Sequence, residues 1–370
     1  MKTLKRILAA TTLLVTLGFA SEANAQVPLE NFFKNPEKAG YQISPDGKYF
    51  SYMAPYENRL NLFVQEVGSD KATRITSETV RDLAGSMWAN GHRILYIKDT
   101  AGDENFQLYG VNVDGTDSKA YTAFPKVRTT IIDPLENIDS LVIIGLNKRN
   151  PQVFDPYRLN LNNGELTQLA ENPGNIQGWM TDHNGKLRVA LAIVDGVNTQ
   201  ILYRETEEQP FRPVLTTNFK ETVSFATFTP DNKMVYALTN IGRDKTALVL
   251  MDPATCEEKE VLYTNDKYDI SGLGYSELKK KLISVFCTGH KGTIRHYFDK
   301  NEEAIRTKLE QKLEGYDINT TSEDKSENIR IIYAGGDRTY GTYYTYNVKE
   351  DKLTKIADLA PWIKEEDMVP

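Results

Sequence analysis

Polar turns punctuate this chain at a nearly fixed interval, and a run of apolar or alternating residues follows each one. The first unit opens at Ile43-Ser44-Pro45-Asp46-Gly47-Lys48 and leads into Tyr49-Phe50-Ser51-Tyr52-Met53. The same syntax returns at Trp88-Ala89-Asn90-Gly91 before 93–98, at Glu136-Asn137 before 141–146, and at Asp182-His183-Asn184-Gly185 before 187–194. Thr229-Pro230-Asp231-Asn232-Lys233 leads into 234–239, and weaker copies begin at Ser276 and Glu323. Asp46, Asn90, Asn137, Asn184 and Asn232 stand about 44–48 residues apart, close to the period of propeller blades.

The turns have a physical reason for their composition. Asp-Gly and Asn-Gly supply the positive φ that tight hairpins demand. Alternating runs suit strands with one buried face, and continuous ones such as Leu141-Val142-Ile143-Ile144 suit strands buried on both. A partner strand follows each run, at 60–67, 106–113, 157–161, 199–203, 246–251, 294–298 and 343–348. Four short strands per unit and seven units predict an all-β fold, a seven-bladed β-propeller with four-stranded blades. Each blade then buries its sheet faces on its neighbours, and ring closure leaves few open edges. One segment breaks the rule. Asn301 to Leu313 places Ile305, Leu309 and Leu313 on a single stripe, which predicts one short helix inserted near the sixth blade, between its strands.

The first 25 residues read differently from the rest. Lys2, Lys5 and Arg6 precede an apolar run from Ile7 to Ala20, and Ala23-Asn24-Ala25 offers small residues for cleavage. The run is short of the ~20 apolar residues that span a bilayer. It predicts a signal peptide cut after Ala25, export to a periplasmic or extracellular location, and no membrane span in the mature chain. The expected division is therefore a signal peptide at 1–25, the propeller at 26–358 and a linker at 359–370.

Removing the leader deletes three positive charges and one negative, taking the net charge from −7 to −9. An acidic surface argues against nucleic acid and anionic membrane as partners. Two cysteines, Cys256 and Cys287, are too few for a disulfide framework or a Cys-rich metal site. They can pair in an oxidising compartment, but Cys287 lies in the apolar run 282–287 and also suits a small buried side chain.

Three segments resemble the S9 (prolyl oligopeptidase) family, especially its exported dipeptidyl- and acylaminoacyl-peptidase-like members. They are Pro28-Leu29-Glu30-Asn31-Phe32-Phe33 running on to Tyr41–Lys48; Phe154-Asp155-Pro156-Tyr157-Arg158-Leu159-Asn160-Leu161 with Asn163-Gly164-Glu165-Leu166; and the helix after Phe298-Asp299-Lys300 together with Gly341-Thr342-Tyr343-Tyr344 and Pro361-Trp362. The Ser-Pro-Asp-Gly turn alone is shared with TolB- and WD40-like propellers. The resemblance implies a propeller that limits access to the active site of a following α/β-hydrolase domain. That domain carries its nucleophile in a Gly-x-Ser-x-Gly elbow. No such elbow occurs in this sequence, and Gly274-Tyr275-Ser276-Glu277-Leu278 lacks the second glycine. The expectation is therefore no catalytic residue and no enzyme activity in this chain, only the non-catalytic gating half of a serine peptidase, ending before its hydrolase domain. Its expected partners are a peptide substrate or a separately encoded hydrolase domain. The alternative is a stand-alone TolB-like propeller that binds a peptide, glycan or protein.

Candidate binding residues follow from two patterns. Asn147, Arg149 and Asp155 lie on a loop of the third blade, where an arginine can steer peptide carboxylates and Asp155 can equally tie down its own turn. Glu302-Glu303 heads the predicted helix, and Glu207-Glu208 stands at a hairpin tip. The family resemblance implies that a glutamate pair can hold a substrate amine, whereas acids at a helix start are also favoured by the macrodipole. The histidines His92, His183, His290 and His296 show no metal-ligand spacing, so no metal and no cofactor are expected.

Overall fold

In a computed structural model, which describes residues 27–290 and 292–369, the chain forms seven antiparallel sheets. The predicted signal peptide lies outside the described residues. Strands β1–β27 run in chain order, four to a blade except for β21–β23 in the sixth. The blades occupy 39–74, 85–120, 129–168, 176–217, 223–263, 270–297 and 317–358, so each is one contiguous stretch. Every pairing of a blade's first strand with its second contains a register shift. Such bulges add local twist where the sheets crowd around the axis.

The core is divided among the interfaces between blades. Leu62 and Val64 of blade 1 meet Ile94, Tyr96 and Val111 of blade 2. Leu95 and Leu108 then meet Val142, Ile144 and Leu159 of blade 3. Val189 and Ile201 of blade 4 pack on Phe228, Val235 and Val249 of blade 5, and Leu248 joins Ile270 and Val285 of blade 6. The ring closes where Tyr41, Phe50 and Tyr52 pack against Ile331 and Tyr343 of blade 7. Lys325 N–H also donates to the Pro45 carbonyl (2.9 Å) across that seam.

The sixth blade departs from the expectation of four strands throughout. Its third strand, β23 (Gly292–Tyr297), has no fourth strand beside it. A four-residue helix, α1 (Leu29–Phe32), precedes β1. The predicted helix is α2 (Lys300–Lys312), and it follows β23 rather than lying between strands of the blade. Asp299 caps it, accepting from Asn301 N–H (2.9 Å) and Glu302 N–H (3.2 Å). Leu309 and Leu313 then pack on Ile318, Ile332 and Tyr346 of blade 7. The helix thus covers part of the blade 7 sheet face on the side of blade 6. Cys256 and Cys287 are both free thiols; Cys287 is buried, and burial pushes the Cys256 thiol up to about 11.

Candidate functional site

A four-stranded meander puts its first and third turns on one face of the ring. Its second turn and the connection to the next blade fall on the other. Both chain termini connect like inter-blade segments, so 27–38 and 359–369 lie on that second face. There Trp362 Nε1–H donates to the Asn31 carbonyl (2.9 Å), and Lys34 sits over the Trp362 ring. The first strands line the central channel, and the turns after them surround its mouth on the first face.

Polar side chains bridge that mouth between blades, most of them not neighbours. Asn137 of blade 3 donates through Nδ2 to Glu277 Oε2 of blade 6 (3.0 Å). His183 Nδ1 of blade 4 lies 3.3 Å from the other oxygen, Oε1. Lys325 of blade 7 donates to Asp139 Oδ1 of blade 3 (2.7 Å), and Asn90 of blade 2 donates to the Asp139 carbonyl (3.1 Å). The His183 ring stacks on Tyr275 with centroids 5.2 Å apart. Behind these bridges a cavity of about 680 Å³ is lined by Gln42, Trp88, Glu136, Tyr275, Glu277 and Glu323, among others.

The charges of this mouth are unevenly matched. The hydrogen bond to Glu277 raises the His183 pKa above its usual value, and the same contact lowers that of Glu277. His183 Nε2 lies 2.9 Å from the Phe228 carbonyl, so both ring nitrogens face acceptors and the imidazolium can donate to each. Burial raises the Glu136 carboxyl, and the nearby Glu277 and Asp133 add to the effect. Glu323 is likewise raised by burial, with Glu327 contributing. An acidic lining held by a few cross-blade bonds can select what passes. It pairs no serine with His183, whose nitrogens are both engaged. Among the described residues, no three His, Cys, Asp or Glu side chains are placed to hold a metal ion.

The residues singled out from sequence lie in two other places. Asn147, Arg149 and Asp155 come together at the turn between β10 (Leu141–Asn150) and β11 (Val153–Asn160), on the face of the chain termini. Asp155 is fully buried; it accepts from Arg149 (2.9 and 3.0 Å) and from Asn172 N–H (2.7 Å). Asn147 accepts from Arg128 N–H (2.6 Å) and donates to the Pro151 carbonyl (3.0 Å). Arg149 also lies 3.3 Å from Glu171 and stays partly open to solvent.

Glu302 and Glu303 diverge. Glu302 is buried between Arg330 (2.7 and 3.0 Å) and Lys279 (2.6 Å), whereas Glu303 is only partly buried, beside Lys300 (2.8 Å). Glu207 is held by Arg158 (2.7 Å) and by Leu187 N–H (3.0 Å).

Sequence reasoning passed over His183, Glu277, Asn137, Asp139 and Lys325 as ordinary turn residues. A signal was nevertheless present. All five occupy the turn after the first strand of their unit, and equivalent turns of a propeller converge on one mouth.

No protein-family model matches the chain. Over 350 residues it is 28% identical to the dipeptidyl aminopeptidase BIII of Pseudoxanthomonas mexicana, covering 91% of this chain and 49% of that protein. It is 26% identical over 355 residues to the dipeptidyl peptidase family member 6 of Caenorhabditis elegans, covering 90% of this chain and 47% of that one. Its homologues are peptidases of the S9 family. A solved prolyl endopeptidase superposes on 94% of this chain and 55% of its own with a TM-score of 0.61 at 12% identity, a likeness of fold. The chain spans about half the length of the curated S9 relatives it matches.

Proposed function

We propose that this S9-type propeller controls access to a serine peptidase active site, with its channel mouth as the selective element. The observation that carries the reading is the set of bonds joining non-neighbouring blades there, centred on Glu277 with Asn137 and His183. A second observation supports a docking face for the hydrolase. Leu29, Phe33, Val80, Val197 and Phe219 are exposed apolar residues, and all belong to the face of the chain termini, opposite the mouth. If these residues form one contiguous surface, they suit a contact site. A hydrolase domain seated on it would face the inner end of the channel, with the bridged mouth facing solvent. The chemistry would belong to that domain, whether continuous with this chain or separately encoded, and peptides would be the substrates.

The test uses the natural protein with whatever hydrolase portion it carries or recruits. Turnover of a long peptide is compared with that of a dipeptidyl substrate. Glu277→Ala removes two cross-blade bonds and is expected to raise the ratio in favour of the long peptide. A natural protein without peptide hydrolysis, or a ratio indifferent to Glu277→Ala, would overturn the reading.

A further inference from the structure

Among the described residues, six blades end in a fourth strand and the sixth does not. β22 (Lys281–Gly289) pairs with β23 without a register shift, from Ser284 opposite Tyr297 to Gly289 opposite Gly292. Phe298 N–H bonds the Ile283 carbonyl (2.9 Å), and bonds alternate along an antiparallel pair. The backbone groups of Thr293, Arg295 and Tyr297 therefore point away from β22. Among the described residues, no hydrogen bond reaches them. Residues 292–296 are all exposed, unlike the third strand of any other blade. Natural proteins cover or blunt an edge of this kind, because it is a template for another strand. α2 makes no strand bonds to it: the helix leaves the end of β23 and packs on blade 7, with Arg295 and Tyr297 lining the cleft between them.

The two faces of this edge differ in chemistry. On one, Arg295 lies over the Phe286 ring (4.7 Å) and donates to Ser284 Oγ (3.0 Å), with no carboxylate of the described residues in ion-pair contact. On the other, Ile294 is exposed beside an aromatic group in which His296 stacks on Tyr263 (4.6 Å) and meets Phe298 (5.2 Å). A strand laid along β23 would alternate its side chains between these faces. We propose that the outer edge of β23 takes up an extended segment of a partner polypeptide as the missing fourth strand, and that this segment alternates acidic with apolar side chains. Its backbone supplies the ladder bonds, a carboxylate pairs with Arg295, and the apolar residues cover Ile294 and His296. This is strand addition, with main-chain bonds giving affinity and alternate side chains giving selectivity. The site is separate from the channel mouth and does not depend on the gating reading.

The experiment uses the natural protein and a fluorescein-labelled nine-residue peptide alternating valine with glutamate. Its lysine counterpart and an N-methylated copy serve as controls. Fluorescence polarisation is expected to show saturable binding of the glutamate peptide, about tenfold tighter than the lysine one, as one charge-assisted contact implies. N-methylation is expected to abolish binding, and hydrogen exchange at Thr293, Arg295 and Tyr297 to slow on binding. Arg295→Glu, an exposed substitution, is expected to reverse the preference. Binding that tolerates N-methylation, or protection confined to other strands, would overturn the proposal. So would edge amides already protected without peptide: concentration-dependent protection would mean a second copy, and concentration-independent protection a segment of the same chain.

Discussion

His183 and Glu277 meet across the channel mouth from the fourth and sixth blades, with Nδ1 3.3 Å from Oε1. Blade 5 stands between the two, so this contact reports on the diameter of the ring. Asn137 holds the second oxygen of the same carboxylate from the third blade.

The pair predicts a pH window. His183 is raised above its ordinary 6.5, so its contribution is complete below about 6.5 and is lost as pH rises through the raised value. Glu277 is lowered below its ordinary 4.5, so its contribution is complete above about 4.5 and is lost as pH falls through the lowered value. Asp182 supports the charged imidazole, and Lys280 supports the carboxylate. The stability difference between the wild type and His183→Gln should therefore be greatest between about pH 4.5 and 6.5 and shrink on both sides. Solvent screening holds it under about 1 kcal/mol. Urea melts at stepped pH would show this; a difference that grew steadily above pH 8 would contradict it.

Glu302 and Glu303 should separate cleanly by mutation. Glu302→Ala leaves Arg330 buried with Glu323 (3.4 Å) and the Glu327 carbonyl (3.3 Å) as weaker partners, and is expected to cost roughly 3 kcal/mol. Glu303→Ala removes a partly exposed partner of Lys300 and should stay within about 0.5 kcal/mol. Equal effects in denaturant titrations would mean that the cluster between blades 6 and 7 does not hold them together.

Asp155→Ala is expected to cost roughly 2–4 kcal/mol, because it strands the Asn172 N–H and removes the bidentate partner of Arg149. Arg149→Ala should cost less than Asp155→Ala, since its guanidinium is partly solvated and Asn172 N–H still serves the carboxylate. Chemical denaturation of the two variants checks the order, and a reversed order would count against the buried anchor.

The propeller was legible because its repeat is written in turn chemistry. Gly47 and Gly185 sit at φ 73° and 70°, where the hairpins require a left-handed residue. The later repeats fade for a reason found in the same place. Asn232, Lys280 and Glu327 take that conformation at φ 58°, 48° and 55° without being glycine, so the turn persists after its sequence mark has gone. The helix stripe through Leu309 and Leu313 was equally readable, since local periodicity determines it. What could not be read was convergence across the ring. Lys325 and Asp139 are 2.7 Å apart in space but 186 residues apart in sequence, and no local pattern records their meeting. The three-stranded form of blade 6 was hidden too, because α2 covers the neighbouring apolar face of blade 7 and leaves no gap in the hydrophobic pattern.

Lys280 offers a direct test of the turn argument. A lysine at φ 48° carries left-handed strain that glycine avoids. Lys280→Gly should be at least as stable as the wild type, and Lys280→Val less stable by roughly 1–2 kcal/mol, because a β-branched side chain tolerates that conformation poorly. Thermal melts of the two variants would decide; a destabilised glycine variant would mean that Lys280 contributes through its charge near Glu277 rather than through the turn.

The face of the chain termini gives the last prediction. Phe33 and Phe219 are 79% and 75% exposed on this face. Replacing both with serine removes apolar area from water without touching a buried contact. The doubly substituted chain should bind less 1-anilinonaphthalene-8-sulfonate and scatter less light than the parent, while its melting midpoint stays within the range of a surface change of about 0.5 kcal/mol. Unchanged dye binding would place the accessible apolar surface elsewhere on the ring. A large fall in melting temperature would show that the two phenylalanines already pack on something within the chain.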